Sequence, residues 1–187
     1  MKETLIAIRA TLFTFVVTGL AYPLTITAIA LIAPARANGS LVKDEAGRVV
    51  GSELIAQAFI KPGYLQPRPS AIGYDGAGSG GSNLGPSSKA LRERADKDAA
   101  RLRQENPGSD IPPELLTTSA SGLDPHLSPE AALYQAARIA KARNVSEDRV
   151  RKVVENYVEG RDLGVLGEPR VNVLLVNLAL DRQFGRF

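Results

Sequence analysis

The chain has no cysteine, a single histidine and almost no charge imbalance outside its first segment, and each scarcity narrows the chemistry open to it. Without thiols there is no disulfide, no thiolate metal centre, no cysteine nucleophile and no cysteine-borne lipid anchor. The compartment stays open on that count. A metal site needs three or four converging ligands. One imidazole, His126 in "GLDPHLSP" near Asp124 and Ser128, is a poor start, and a loop histidine bonded to nearby backbone is the better reading, with no metal expected. The net charge is +3 over 187 residues, and Lys2, Arg9 and Arg36 against Glu3 place most of that excess in the first 37. The remainder lacks the basic surface that phosphate backbones demand, so no nucleic acid partner is expected.

What is present at the N-terminal end is a long uncharged run, "ATLFTFVVTGLAYPLTITAIALIAPA", from Ala10 to Ala35. About 24 helical residues at about 1.5 Å each reach roughly 36 Å, enough for a hydrocarbon core of about 30 Å. The threonines Thr11, Thr14, Thr18, Thr25 and Thr27 satisfy their hydroxyls on helix carbonyls, and a kink is expected near Tyr22-Pro23. A cleaved signal peptide competes, because Ala35-Arg36-Ala37 is A-x-A-like, but the run exceeds the apolar length of such peptides and a retained anchor is preferred. Basic residues flank both sides, so the positive-inside rule does not orient it.

Beyond the anchor the pattern is α+β: one N-terminal transmembrane helix (10–33) after a short N-terminus (1–9), then a single mixed α/β soluble domain (38–187) with long Gly/Pro-rich loops. "SLVKDEAGRVVG" reads as a hairpin, and "SELIAQAF" (52–59) as a short helix capped by Ser52. Residues 61–86 carry Pro62, Pro67, Pro69 and Pro86 among many glycines, which excludes regular structure. A surface helix is predicted over Ser87–Gln104, with Leu91, Ala95, Ala99 and Leu102 on one face. Ser128-Pro129-Glu130 starts another, Asn144 ends it, and Ser146 caps a third bearing Val150, Val153, Val154 and Tyr157. Val171–Val176 reads as a core strand, with a closing helix or turn over Asn177–Gln183.

Three constellations compete for chemistry. Gly76-Ala77-Gly78-Ser79-Gly80-Gly81 has the G-x-G-x-x-G spacing of a phosphate cradle, but Pro86 blocks an immediate helix, and Ser82 and Asn83 stand where a P-loop needs Lys and Ser/Thr. A serine hydrolase would need a nucleophile elbow that Ala77-x-Ser79-x-Gly81 lacks. The helix pair around "ARIAKARNVSEDRVRKVVENY" resembles a helix-turn-helix, giving a membrane-tethered DNA-binding regulator as the alternative function, although Glu147 and Asp148 would meet the DNA. Arg68-Pro69-Ser70 suits a structural hydrogen-bond fork better than an anion site.

The uncharged span, "RPSAIGYDGAGSGGSNLGPSS", "TTSASGLDPHLSPEAALYQAARIAKAR" and "GEPRVNVLLVNLALD", in this order along nearly the whole chain, resemble the C subunit of the Kdp-type potassium-transporting ATPase. The family's motifs match at Arg68, Pro69 and Ser70, at Gly80, Gly81, Ser82, Asn83 and Leu84, and at Gly122, Leu123, Asp124, Pro125 and His126. Leu65-Gln66-Pro67 departs from the usual aromatic and polar residues before Arg68. The resemblance implies a non-catalytic subunit in a bacterial inner membrane, single-pass, with a cytoplasmic N-terminus and the soluble domain outside. Its implied partners are a potassium-translocating subunit, a P-type ATPase subunit and the lipid bilayer, and those subunits handle potassium and ATP, leaving this chain without a cofactor of its own. The family has been linked to raised ATP affinity through a loop matching Ser79, Gly80, Gly81, Ser82 and Asn83. An external domain reaches no cytoplasmic ATP, so Arg68, Pro69, Ser70, Ser82, Asn83, Asp124 and His126 become structural or subunit-contact candidates, with no catalytic residue expected and Ser82 and Asn83 expected to bond to backbone.

Overall fold

The computed structural model describes residues 2–187. It divides into one unit ending at Leu41 and a second beginning at Val42. In the first, α1 (Lys2–Phe15), a π-helical turn (Val16–Ala21) and α2 (Tyr22–Ala30) form a 29-residue run, Lys2–Ala30, long and apolar enough to cross a membrane. The run begins earlier than the uncharged stretch and ends at Ala30, before α3 (Pro34–Ala37). The disturbance expected at Pro23 takes the form of the π turn just before it. Proline offers no N–H to the fourth carbonyl back and crowds it, and the ladder slips by one residue, with Tyr22 N–H donating to the Val17 carbonyl. Thr18, Thr25 and Thr27 donate to the carbonyls of Thr14, Ala21 and Pro23 at 2.7–2.8 Å, so their hydroxyls are satisfied within the helix.

At the boundary between the units a two-stranded ribbon begins, β1 (Leu41–Lys43) and β2 (Val49–Ser52). Asp44 builds its turn, accepting from the amides of Ala46 and Arg48 and from the Arg48 guanidinium at 2.7 Å. Those bonds hold the Asp44 carboxyl below its ordinary range. The helix expected over 52–59 does not form. Ser52 accepts from Leu54 N–H, but Ala56 N–H donates to the Leu123 carbonyl at 2.8 Å, so pairing across the domain overrides local propensity.

After the long loop comes α4 (Lys89–Glu105), capped by Ser88 and burying Ala99 and Leu102. A short 3-10 turn at Pro113–Leu115 leads to β3 (His126–Leu127). The helix expected after Ser128 is broken at Gln135 into α5 (Pro129–Tyr134) and α6 (Ala136–Arg143), and left-handed Asn144 closes it. In α7 (Glu147–Asn156), Ser146 occupies the N-cap but makes no side-chain cap bond. The strands β4 (Val158–Glu159) and β5 (Arg170–Asn172) complete an antiparallel sheet of order β3-β5-β4.

The strand expected over Val171–Val176 stops at Asn172, and α8 (Val173–Phe184) begins there. Asn172 switches the chain: its Oδ1 accepts from Leu175 N–H as a helix cap and its Nδ2 donates to the Glu53 carbonyl. Val173, Val176 and Leu180 then recur at helical spacing toward a core shared with Leu127, Ile139, Val150, Val154 and Val171.

The irregular loop enters this core at Leu65, which is fully buried. Its backbone is held by side-chain amides in place of a neighbouring strand. Asn177 accepts from Leu65 N–H at 2.7 Å and donates to the Leu65 carbonyl at 2.9 Å. Gln135 does the same for Gln66, at 2.9 and 3.0 Å. Asn177→Ala strands both backbone groups of Leu65 in the core and should destabilise the domain by about 2–4 kcal/mol, since each buried unpaired group costs about 1–3 kcal/mol. The urea midpoint of the detergent-solubilised chain measures it, and a shift worth under about 0.5 kcal/mol refutes the clamp.

Candidate functional site

The motif residues converge where two loops, 68–83 and 117–126, lie against each other. Arg68 donates to Asp124 Oδ2 at 3.2 Å and faces the Thr117 hydroxyl at 3.5 Å. The other Asp124 oxygen accepts from His126 N–H at 3.0 Å, while the His126 ring lies 3.9 Å from that carboxylate. Pro69 contributes its carbonyl, which accepts from Ser119 N–H at 2.9 Å. The Ser70 hydroxyl donates to the Gly122 carbonyl at 2.7 Å and accepts from the amides of Ile72 and Tyr74. Tyr74, the one aromatic between Leu65 and Glu105, donates to the Arg68 carbonyl at 2.8 Å and closes the first loop on itself.

The glycine stretch continues this lacing. Gly80 N–H and the Ser79 hydroxyl both donate to the Ser121 carbonyl, at 2.8 and 3.2 Å. Ala77 and Gly78 amides go to the Asp75 carboxylate and carbonyl. The Ala77, Gly78 and Gly80 amides are therefore spent on acceptors of the same chain, and the next helix starts only at Lys89. Ser82 bonds to the Thr118 hydroxyl at 3.3 Å and not to backbone, and Asn83 is exposed, its contribution being a left-handed backbone at φ +50°. Expecting backbone bonds from these two side chains was wrong because the facing loop offers a hydroxyl there, while Asn83 turns into solvent.

Gly122 is the close-approach point, and its importance was not read from the sequence. Its φ is +71°, and a Cβ there would lie 2.5 Å from the Ile72 side chain and 2.8 Å from the Gly80 carbonyl. Gly81 is tight too, with the Ala120 carbonyl 3.0 Å from its would-be Cβ. Ser119 and Ser121 brace the turn by accepting from Gly122 and Leu123 amides. The Ser-x-Ser-Gly spacing of 119–122 is the signal that could have exposed it, since paired hydroxyls beside a glycine are turn chemistry.

Nothing in this arrangement activates a nucleophile. The Ser79 hydroxyl donates to a carbonyl, and the Asp124 carboxylate is engaged by Arg68 and the His126 amide. The α6–α7 pair packs as an ordinary helical hairpin, with Val150, Val153 and Val154 buried and acidic Glu147 and Asp148 at the end that would read bases.

Burial, followed by the nearby Asp98 carboxylate, pushes the Tyr74 hydroxyl above its usual value of about 10. The neutral form is the one the fold favours, so this stabilisation is complete below about pH 10 and is lost as pH rises through the raised value. Tyr74→Phe should cost about 1 kcal/mol at pH 8 through the lost bond to Arg68, and the deficit should shrink above pH 10, read from urea midpoints at each pH. Gly122→Ala should cost at least about 2 kcal/mol, from strain and overlap together, and an unchanged midpoint would refute the close approach.

The family match spans both loops of this latch. The family profile described as KdpC, K+-transporting ATPase, c chain, matches residues 4–182. A "Potassium-transporting ATPase KdpC subunit" from Myxococcus xanthus is 62% identical over 186 residues, covering 97% of this chain and 88% of the relative. Proteins of the same name from Caulobacter sp. (strain K31) and Bradyrhizobium diazoefficiens are 56% and 50% identical, covering 95% and 97% of this chain and 91% and 98% of their own lengths. The chain belongs to the KdpC family of potassium-transporting ATPase subunits.

Proposed function

We propose that the chain is a non-catalytic accessory subunit that assembles and stabilises an ATP-driven potassium uptake pump. It sits in the bacterial inner membrane as a single-pass protein with residues 1–9 cytoplasmic, 10–33 in the bilayer and 38–187 outside. Its partners are the potassium-translocating subunit and the P-type ATPase subunit, which handle potassium and ATP, and it needs no cofactor of its own. The observation that carries this reading is the latch: Arg68, Ser70, Ser79 and Gly80 bond across to the 117–124 loop, and Asp124 is held by Arg68 and the His126 amide.

Any influence on the pump's ATP affinity is then transmitted through the complex, as a coupling free energy between separate sites. Copurification of the tagged chain in mild detergent tests the reading, with recovery of both large subunits expected. Reporter fusions after residue 60 and at the C-terminus should both register outside the cytoplasm; a cytoplasmic signal defeats the orientation. Titration calorimetry of the full chain with ATP, with and without magnesium, should show no micromolar binding. Such binding, if lost in a Ser82→Ala, Asn83→Ala double variant, would restore the phosphate cradle.

A further inference from the structure

The β4–β5 hairpin carries a tip that folding alone does not account for. Between its strands, Arg161-Asp162-Leu163-Gly164-Val165-Leu166-Gly167-Glu168 forms a tight loop in which Asp162 and Leu166 exchange backbone bonds, both at 2.9 Å. Leu163, Val165 and Leu166 stand out from it, exposed at 90%, 73% and 57%. Leu163 is left-handed at φ +53°, a conformation that glycine or asparagine adopts with little strain and leucine does not. A bulky apolar residue is thus held in a disfavoured backbone, in water, with no core contact in return. Strain of this kind marks places where something outside the local fold is served.

The collar of the tip indicates what it meets. Glu159 and Asp162 pair with Arg170, and Glu168 with Arg161, at 2.7–3.2 Å. Three carboxylates face two guanidinium groups, and the outermost side chains are acidic: Glu168 and Asp162 are 79% and 66% exposed. An anionic bilayer surface would repel this collar. A protein pocket with an apolar floor and a rim of basic or hydrogen-bond-donating groups complements both its parts.

We infer that the 161–168 hairpin tip is a preformed docking element, seating Leu163 and Val165 in such a pocket on another subunit of the pump. This rests on the reading that the chain is assembled into that complex. The ion pairs fix the tip before contact, so little conformational freedom is lost on docking, and the two apolar anchors supply the contact area.

The test uses the full chain, coexpressed with the other subunits and purified in mild detergent. Wild-type chain should recover both large subunits; failure here removes the subunit reading itself and the docking inference with it. A Leu163→Asn, Val165→Asn double variant should recover less than a tenth as much, while its own thermal midpoint stays level or rises because asparagine accepts the left-handed backbone. Undiminished recovery overturns the inference. In a second measurement Val165→Cys, a unique thiol in this chain, carries a photoreactive maleimide in the assembled complex. An adduct on a partner subunit supports docking whatever the double variant's stability, and an adduct on lipid, on a second copy of the chain or on nothing overturns it.

Discussion

A buried backbone without a partner strand is the constraint around which this domain is organised. Residues 61–66 lie outside any helix or sheet, yet Leu65 sits in the core, where an unpaired N–H or C=O is scarcely tolerated. Asn177 on α8 and Gln135 at the α5–α6 break solve this by presenting amides that mimic a neighbouring strand to Leu65 and Gln66. Arginines do the same for the carbonyls beside them: Arg138 donates to Pro62 and Tyr64, and Arg143 to Gly63. The Arg143 side chain is 2% exposed, and its charge is met by Asp181 at 2.7 Å and by the Tyr64 and Phe187 rings 5.0 and 5.4 Å away. Removing any one of these partners would strand the others, which makes the clamp cooperative.

The latch follows from the clamp. With Leu65 and Gln66 fixed, the chain leaves the core at Pro67 in a defined direction, and Arg68, Ser70 and Tyr74 meet the 117–124 loop at hydrogen-bond distance. The glycines serve approach between backbones. Gly80 and Gly122 stand where two loops cross, and a Cβ at 122 would strike both a side chain and a carbonyl. A glycine-rich loop binds anions when its amides point outward together. Here Asp75 and Ser121 turn several of them inward.

Legibility from sequence followed the range of the interactions involved. The apolar span, the Ser128 cap and the Asn144 stop are decided within a few residues and were readable. So were the weaknesses of the phosphate-cradle reading, since Pro86 and the missing lysine are local facts. The 52–59 segment was misread because its fate depends on a bond from Ala56 to Leu123, and the 171–176 run because Asn172 both caps α8 and reaches Glu53. Periodicity cannot separate a short buried strand from the first turn of a buried helix. The amide clamp was invisible for the same reason: 112 residues separate Leu65 from Asn177, and nothing near either names the other. The departure at Leu65-Gln66-Pro67 also loses its force, because Asn177 and Gln135 grip backbone at 65 and 66 and so do not depend on the side chains there.

A domain stitched in this way has its loops positioned by residues far from them in sequence. Much of the hydrogen-bonding capacity of its irregular segments is met from within, by Asn177, Gln135, Asp75 and Ser121. Coupling between sites requires an element with two arrangements, each favoured by a different binding event. In this chain such a choice is more readily placed in contacts with other subunits than in the latch itself. The π turn ahead of Pro23, where the helix ladder is already shifted by one residue, and the solvent-facing tip, where Leu163 is left-handed, are two places where the chain holds conformational cost. The tip shares no residue with the clamp, so a load on Leu163 does not act directly on the amides that hold the 61–66 segment.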